Sequence, residues 1–243
     1  MNGAARATAP APSLAGRSLV VRLGGLHAVL SWAIVGGGRR SASEVVFCEV
    51  RDDELRPPVD PARLLRERLA ALAAPSAVGL LTSRAVDTHV VAERELGGAW
   101  ARCVATVGLG NALRAGDPPG PAARIGTINI VCQVSGALAE LALVEAVSIA
   151  AEARTAAILE AGVASRRSGE RATGTGTDCI VIAAPERDGG SRYAGKHTTL
   201  GHVIGASVYD AVRRGAAAWL AEHPAMRPGP PPFTVASTTG ENA

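Results

Sequence analysis

The chain has 243 residues, a formal net charge of +3 and 3% aromatic residues. A charge this small, carried by scattered basic residues, excludes the footprint of a nucleic-acid binder, and so few aromatics exclude a base-stacking platform. No stretch approaches the roughly 18 uninterrupted apolar residues of a membrane helix, and residues 1–14 lack the basic start and apolar run of a secretory signal, so the expected location is the cytoplasm with no membrane partner.

Residues 1–14 and 224–243 are low-complexity and are expected to be disordered tails around a domain at 15–223. Within it, residues 18–23 and 27–34 read as strands around a Gly24-Gly25 turn. The run Gly36-Gly37-Gly38 breaks the chain before a strand at 45–50. Residues 61–73 form a helix, with Asp60 as N-cap and Pro61 in its first position. Strands follow at 78–82, 99–107 and 127–134, and 89–92 is ambiguous. Residues 137–161, rich in Ala and Leu and closed by Gly162, make a long helix. Glu145, Ser148, Glu152 and Thr155 fall within an arc of about 80° on it, and Arg154 lies on the opposite side. A strand at 180–183 and a second long helix ending at Glu222 complete the pattern. The fold class is α+β: a mixed, largely antiparallel sheet packed with two long helices in one domain.

The chain's 25 Lys+Arg residues include a single lysine, Lys196, in Tyr193-Ala194-Gly195-Lys196-His197-Thr198. Lysine is a compact charge whose pKa falls on burial, and histidine titrates near neutrality, so Lys196 and His197 are candidates for proton transfer. Thr198 or Thr199 can cap the following helix, which places both at the positive end of its dipole. The densest polar cluster is Thr173-Gly174-Thr175-Gly176-Thr177-Asp178. Its glycines allow close backbone approach, its hydroxyls donate and accept, and Asp178 stands where the loop becomes a strand. It lacks the spacing of a phosphate-binding loop. Asn111, Thr127 and Asn129 place small polar groups beside two other strands. Cys48, Cys103, Cys132 and Cys179 each lie in apolar runs and read as buried thiols, with Cys179 the best placed as a nucleophile. No His/Asp/Glu set has zinc spacing, and no Gly-x-Ser-x-Gly elbow is present.

The order of these clusters is more specific than any one of them. Ala-Thr-Val-Gly-Leu-Gly-Asn-Ala, Arg-Ala-Gly-Asp, Gly-Thr-Ile-Asn-Ile, Ala-Glu-Ala-Arg-Thr-Ala-Ala, Ala-Thr-Gly-Thr-Gly-Thr-Asp and Tyr-Ala-Gly-Lys-His-Thr-x-Leu-Gly succeed one another from Ala105 to Gly201. This succession resembles the adenosylcobinamide amidohydrolase family, densely over residues 77–213 and more thinly over 18–50. The resemblance implies hydrolysis of the amide that joins the aminopropanol arm to the corrin ring of adenosylcobinamide. The products are adenosylcobyric acid and 1-amino-2-propanol, returned to corrinoid salvage. Cobalt then belongs to the corrinoid substrate, and no separate cofactor or protein-bound metal is required. Oligomeric state does not follow from the sequence.

Amide hydrolysis needs an activated nucleophile, oxyanion stabilisation and a proton for the leaving amine. Asp178 or His197 can activate water, and Lys196, Thr175, Thr177 and loop N–H groups can hold the oxyanion. Glu152 can orient Lys196 or serve as the base. A covalent route through Thr175, Thr177 or Cys179 is open. Asn111, Thr127, Asn129 and Gly176 are expected to bind peripheral amides of the corrin. The chain departs from the family pattern with Arg154 in place of the usual Lys and Val35 in place of Asn. Two other readings fit the same residues: a different amide substrate within the family, or a corrinoid-binding protein without hydrolase activity.

Overall fold

Strands with apolar residues on both faces need two covers, and this chain supplies them by bending its sheet over itself. The computed structural model describes residues 9–120 and 126–226. Its strands in chain order are β1 (Ser13–Ala15), β2 (Ser18–Ser31), β3 (Gly38–Glu49), β4 (Val78–Thr82), β5 (Val90–Leu96), β6 (Ala99–Val107), β7 (Ala112–Leu113), β8 (Ile128–Val134), β9 (Gly174–Thr175) and β10 (Cys179–Pro185). Three α-helices accompany them: α1 (Pro61–Ala71), α2 (Glu140–Ala161) and α3 (Thr199–Glu222). The main sheet runs β4-β3-β2-β10-β8-β6-β5, with β1 paired to the start of β2 and β7 paired separately with β9. Only β3–β4 and β8–β10 are parallel among these pairs, so the expected mixed, largely antiparallel sheet with two long helices is what forms.

Side-chain alternation separates the layers. Cys103, Ile130, Ile180 and Ile182 point to α2 and α3, where Leu143, Ala146, Val203 and Val208 meet them. Val104, Val131 and Val181 point the other way, onto Leu19, Val21, Phe47 and Leu80 from β2, β3 and β4. The outer face of that second layer is closed by Leu65 and Leu69 of α1 against Val20, Val46 and Cys48. The layer order is therefore α2/α3, sheet, sheet, α1, with β2 running through both sheet layers.

Gly24 and Gly25 make that passage possible. They have φ of +76° and +150°, values that disfavour residues bearing a Cβ, and the β2–β3 register shifts between Arg22 and His27. The expected turn is thus a bend inside one continuous strand, and the hairpin lies later, between Ser31 and Gly38. β3 accordingly begins at Gly38 rather than at residue 45, because the glycine run is the hairpin loop itself. The ambiguous segment at 89–92 falls in β5. Asp60 caps α1 by accepting from Ala62 N, and Gly162 closes α2 with φ of +71°. Helix α2 starts at Glu140, not residue 137, because Ala137–Ala139 backbone groups bond to Ser191 instead.

The N-terminal segment also departs from the expected tail. Residues 1–8 and 227–243 lie outside the described residues, but the carbonyls of Ala9 and Pro10 accept from Arg102 Nη1 at 3.0 and 2.6 Å. Arg102, 2% exposed, also donates through Nη2 to Gln133 Oε1 at 3.0 Å and the Arg22 carbonyl at 3.4 Å. Gln133 Nε2 donates in turn to the Leu23 carbonyl at 2.8 Å and to His27 Nε2 at 3.1 Å. His27 Nδ1–H donates to the Gly25 carbonyl at 3.0 Å. This chain of bonds requires a neutral imidazole, since a proton on Nε2 would face the Gln133 N–H.

Arg102→Ala removes the donor from the carbonyls of Ala9, Pro10 and Arg22 and from the buried Gln133 Oε1, and is expected to cost about 3 kcal/mol in urea unfolding. Burial, opposed by the Gly25 bond and reinforced by Arg187, holds His27 below its ordinary value. The unfolded chain therefore takes up a proton first as pH falls. Stability is expected to be full above about pH 6.5 and to decline below it, with a shallower decline in His27→Phe.

Candidate functional site

Strands β8 and β10 run parallel and in register from Cys179↔Asn129 to Ala183↔Gln133, so their N-terminal ends open at one place. The residues just before them, Gly126-Thr127 and Thr175-Gly176-Thr177-Asp178, meet there with Asn111 from the connection between β6 and β7. The loops lock through backbone atoms. Thr127 Oγ1 donates to the Thr177 carbonyl at 2.8 Å, Thr177 Oγ1 to the Gly126 carbonyl at 3.2 Å, and Gly176 N to the Asn111 carbonyl at 3.2 Å. A Cβ on Gly126 would lie 2.7 Å from Gly110 N, so only glycine admits this approach.

Asp178 ties the loops to the scaffold. Oδ1 accepts from Ile128 N at 3.1 Å and from the Thr175 hydroxyl, and Oδ2 accepts from Thr175 N at 3.0 Å and from the Arg154 guanidinium. Four donors on two oxygens fill the acceptor capacity of a carboxylate. The side chain is 6% exposed. Burial pushes its pKa up, while Arg154, Thr175 and the Ile128 amide pull it down. Arg154 thus makes its contact from the side of α2 opposite the polar stripe. A Cβ on Gly174 would collide with both Arg154 and Asp178.

A cleft of about 290 Å³ opens over these loops. Asn111, Thr127 and Thr177 line it, with Ser83 from the end of β4, and Ile34, Leu55, Pro61 and Leu81 form apolar walls. A second cavity of about 510 Å³ shares Ser83 and Gly126 with the first and carries Arg84, Arg166 and His223. Arg84 is paired with Glu222. His223 donates from Nδ1 to the Trp219 carbonyl at 2.8 Å and stacks on Trp219.

The expected substrate-binding residues are therefore neighbours, but not equivalent ones. Asn129 is 2% exposed and its Nδ2 donates to the Leu81 carbonyl at 2.7 Å, which makes it a strut between layers. The hydroxyls of Thr127, Thr175 and Thr177 are already donating to protein acceptors. Asn111 stands against Gly176 and lines the cleft, and no hydrogen bond among the described residues occupies its side-chain amide or the Ser83 hydroxyl. Ser83 was not a sequence candidate. Its signal is a polar pair, Thr82-Ser83, ending an apolar strand.

Lys196, His197 and Glu152 are elsewhere. Lys196 forms an ion pair with Glu152, the side chains 70% and 51% exposed, so the lone lysine is not buried. Both line a groove of about 320 Å³ between α2 and α3 that includes His202, and His197 is exposed beside it. Thr198 does cap α3, accepting from Gly201 N at 2.9 Å. Glu152 and Arg154, two residues apart, point about 160° apart around α2. The Lys196 group and the Asp178 group therefore meet α2 on different flanks.

Burial pushes the Cys179 thiol up to about 12, as it does Cys132. Cys179 is thus a protonated thiol at neutral pH, which makes it a poor nucleophile. No group of three or more His, Cys, Asp and Glu residues among the described residues is placed to hold a metal ion. No helix among them is long and apolar enough to cross a membrane.

Gly174→Ala forces Arg154 and Asp178 apart. It is expected to cost about 2 kcal/mol, read as a lower Tm, and to loosen the 174–178 loop to proteolysis.

An uncharacterised protein of Methanocaldococcus jannaschii is 37% identical over 89 residues, 36% of this chain and 34% of that protein. The chain thus aligns with about a third of that curated relative's length. The family model described as adenosylcobinamide amidohydrolase matches residues 9–224, which takes in the N-terminal segment held by Arg102, every loop of the cleft and both long helices. A match over that span settles the family: the chain belongs to the adenosylcobinamide amidohydrolases.

Proposed function

We propose that the protein hydrolyses the aminopropanol amide of adenosylcobinamide, adding water across the C–N bond to release adenosylcobyric acid and 1-amino-2-propanol. The observation that carries this reading is the family match across residues 9–224. The cleft is consistent with it. Its unoccupied polar groups, the Asn111 amide and the Ser83 hydroxyl, suit neutral amide arms, and neither brings a charge into it. Thr127, Thr177 and Gly126 line it, and Asn129 holds the layer beneath.

Within this reading the acid–base pair is Thr175 with Asp178. The four donors on Asp178 leave no lone pair for water, so a proton reaches it through the Thr175 hydroxyl. Burial, which raises the Asp178 pKa, favours that acceptance. Arg154 keeps the carboxylate in place. Lys196, His197 and Glu152 form the rival group, with Lys196 as the proton donor and Glu152 as its orienting partner.

Pure protein incubated with adenosylcobinamide is expected to yield adenosylcobyric acid, in chelator as well as without it. Tight binding without product would replace hydrolysis by corrinoid binding alone. Asp178→Asn and Thr175→Val are expected to lower turnover more than about a hundredfold. Lys196→Ala, which removes only an exposed ion pair, is expected to stay within about fivefold. A hundredfold loss in Lys196→Ala with normal Asp178→Asn turnover would move the chemistry to the α2–α3 groove.

A further inference from the structure

Tryptophan is rare in this chain, and one of its three is half exposed. Trp32 follows β2, with 50% of its surface in solvent. It is nevertheless held: its indole N–H donates to the Asp178 carbonyl at 2.6 Å, across 146 residues of sequence. Ile34, two residues on, is 47% exposed and lines the cleft. Between them Ala33 is buried. The hairpin that follows β2 thus presents two large apolar side chains to solvent at the rim, anchored to the residue next to Thr177.

An exposed indole fixed through its polar edge offers its ring faces to a ligand at little entropic cost, because the rotamer is already set. The shape of the cleft defines what lies on it. At about 290 Å³ it takes a side arm, not a macrocycle bearing several amide arms. A corrin must remain at the mouth while one arm enters. The apolar lining of the cleft includes Ile34, Leu55 and Pro61, and such walls fit the methyl-bearing edge of a corrin better than they fit a purine.

We propose that Trp32, extended by Ile34, is the platform on which the corrin ring lies while an amide arm enters toward Ser83 and Asn111. This rests on the corrinoid reading above and adds the orientation of the substrate and a residue that sets its affinity. It assigns Trp32 to ring binding and to no step of the chemistry.

The test is equilibrium dialysis of the full chain against adenosylcobinamide and against cyanocobinamide, read by corrin absorbance, with steady-state kinetics on the first. Trp32→Ala is expected to raise Kd about tenfold for both corrinoids, and KM about tenfold for adenosylcobinamide with kcat within about threefold. Trp32→Phe, which keeps an aromatic face and loses the hydrogen bond, is expected to recover most of the affinity. Ile34→Asp breaks no hydrogen bond and is expected to weaken binding in the same direction, so the question stays decidable if Trp32→Ala folds poorly. Unchanged Kd in both Trp32→Ala and Ile34→Asp, with wild-type binding intact, overturns this inference alone. A loss confined to adenosylcobinamide overturns it too, by placing the adenine rather than the ring on the indole. Wild-type protein that binds neither corrinoid overturns the functional reading as well.

Discussion

One strand serving two sheet layers is the constraint on which the rest of this molecule depends. Strand β2 pairs with β10 through residues 27–31 and with β3 along nearly its whole length, and it bends between Arg22 and His27. Without that bend the faces of β6, β8 and β10 carrying Val104, Val131 and Val181 would lie open to water. With it, β2, β3 and β4 fold back across them. The interlayer space is apolar in the middle and polar at both ends. At one end Arg102, Gln133 and His27 satisfy the carbonyls exposed by the bend. At the other, Thr82, Thr106 and Asn129 bridge β4, β6 and β8 beneath the cleft. The cleft is therefore the open end of the interlayer space, and its position follows from the bend.

Asp178 converts that opening into a defined surface. Its carboxylate joins three pieces of chain that sequence keeps apart: the start of β8 through Ile128 N, the Thr175 turn, and α2 through Arg154. Its backbone carbonyl adds a fourth, the hairpin carrying Trp32. A buried carboxylate is costly unless every lone pair is matched, so the cluster is secured in one arrangement. The same saturation limits what Asp178 can do directly. It receives protons by way of a neighbour, while the cleft's free polar groups lie on other residues.

How much of this was legible in the sequence depended on range. Local signals were read correctly: Asp60 before Pro61, Gly162 after α2, and Thr198 at the head of α3 all act within one helical turn. Gly24-Gly25 was legible as a departure from extended backbone, but a turn and a bend use the same left-handed conformations, and only pairing with β3 distinguishes them. The thin polar stripe of α2 was also legible, and Glu145 and Glu152 on it do meet the 194–196 segment. The partner of Arg154 was not. Pairing across 24 residues depends on where β10 lies relative to α2, and no local periodicity carries that. Trp32 and Ser83 were missed for the same reason, since exposure and an unpaired hydroxyl are properties of the assembled rim. Lys196 stands in solvent and pairs with Glu152, the residue on the stripe that could orient it.

A site that recognises amides by hydrogen bonding must keep some of its own polar groups from pairing with one another. This cleft is built from loops so close that glycine is required at 126 and 174, and such closeness favours internal bonds. Thr127 and Thr177 give their hydroxyl protons to backbone carbonyls, Thr175 gives its own to Asp178, and Asn129 is spent on Leu81. Asn111 escapes because its backbone, not its side chain, makes the bond to Gly176. Ser83 escapes because it follows the last paired residue of β4. Two free groups in an otherwise saturated, mostly apolar cleft cannot supply much binding energy by themselves, and in water each would gain only about 1 kcal/mol on pairing. They can choose which arm enters and how it is turned. Affinity then has to come from apolar surface outside the cleft, and the exposed indole and Ile34 at its rim are where the structure places such surface.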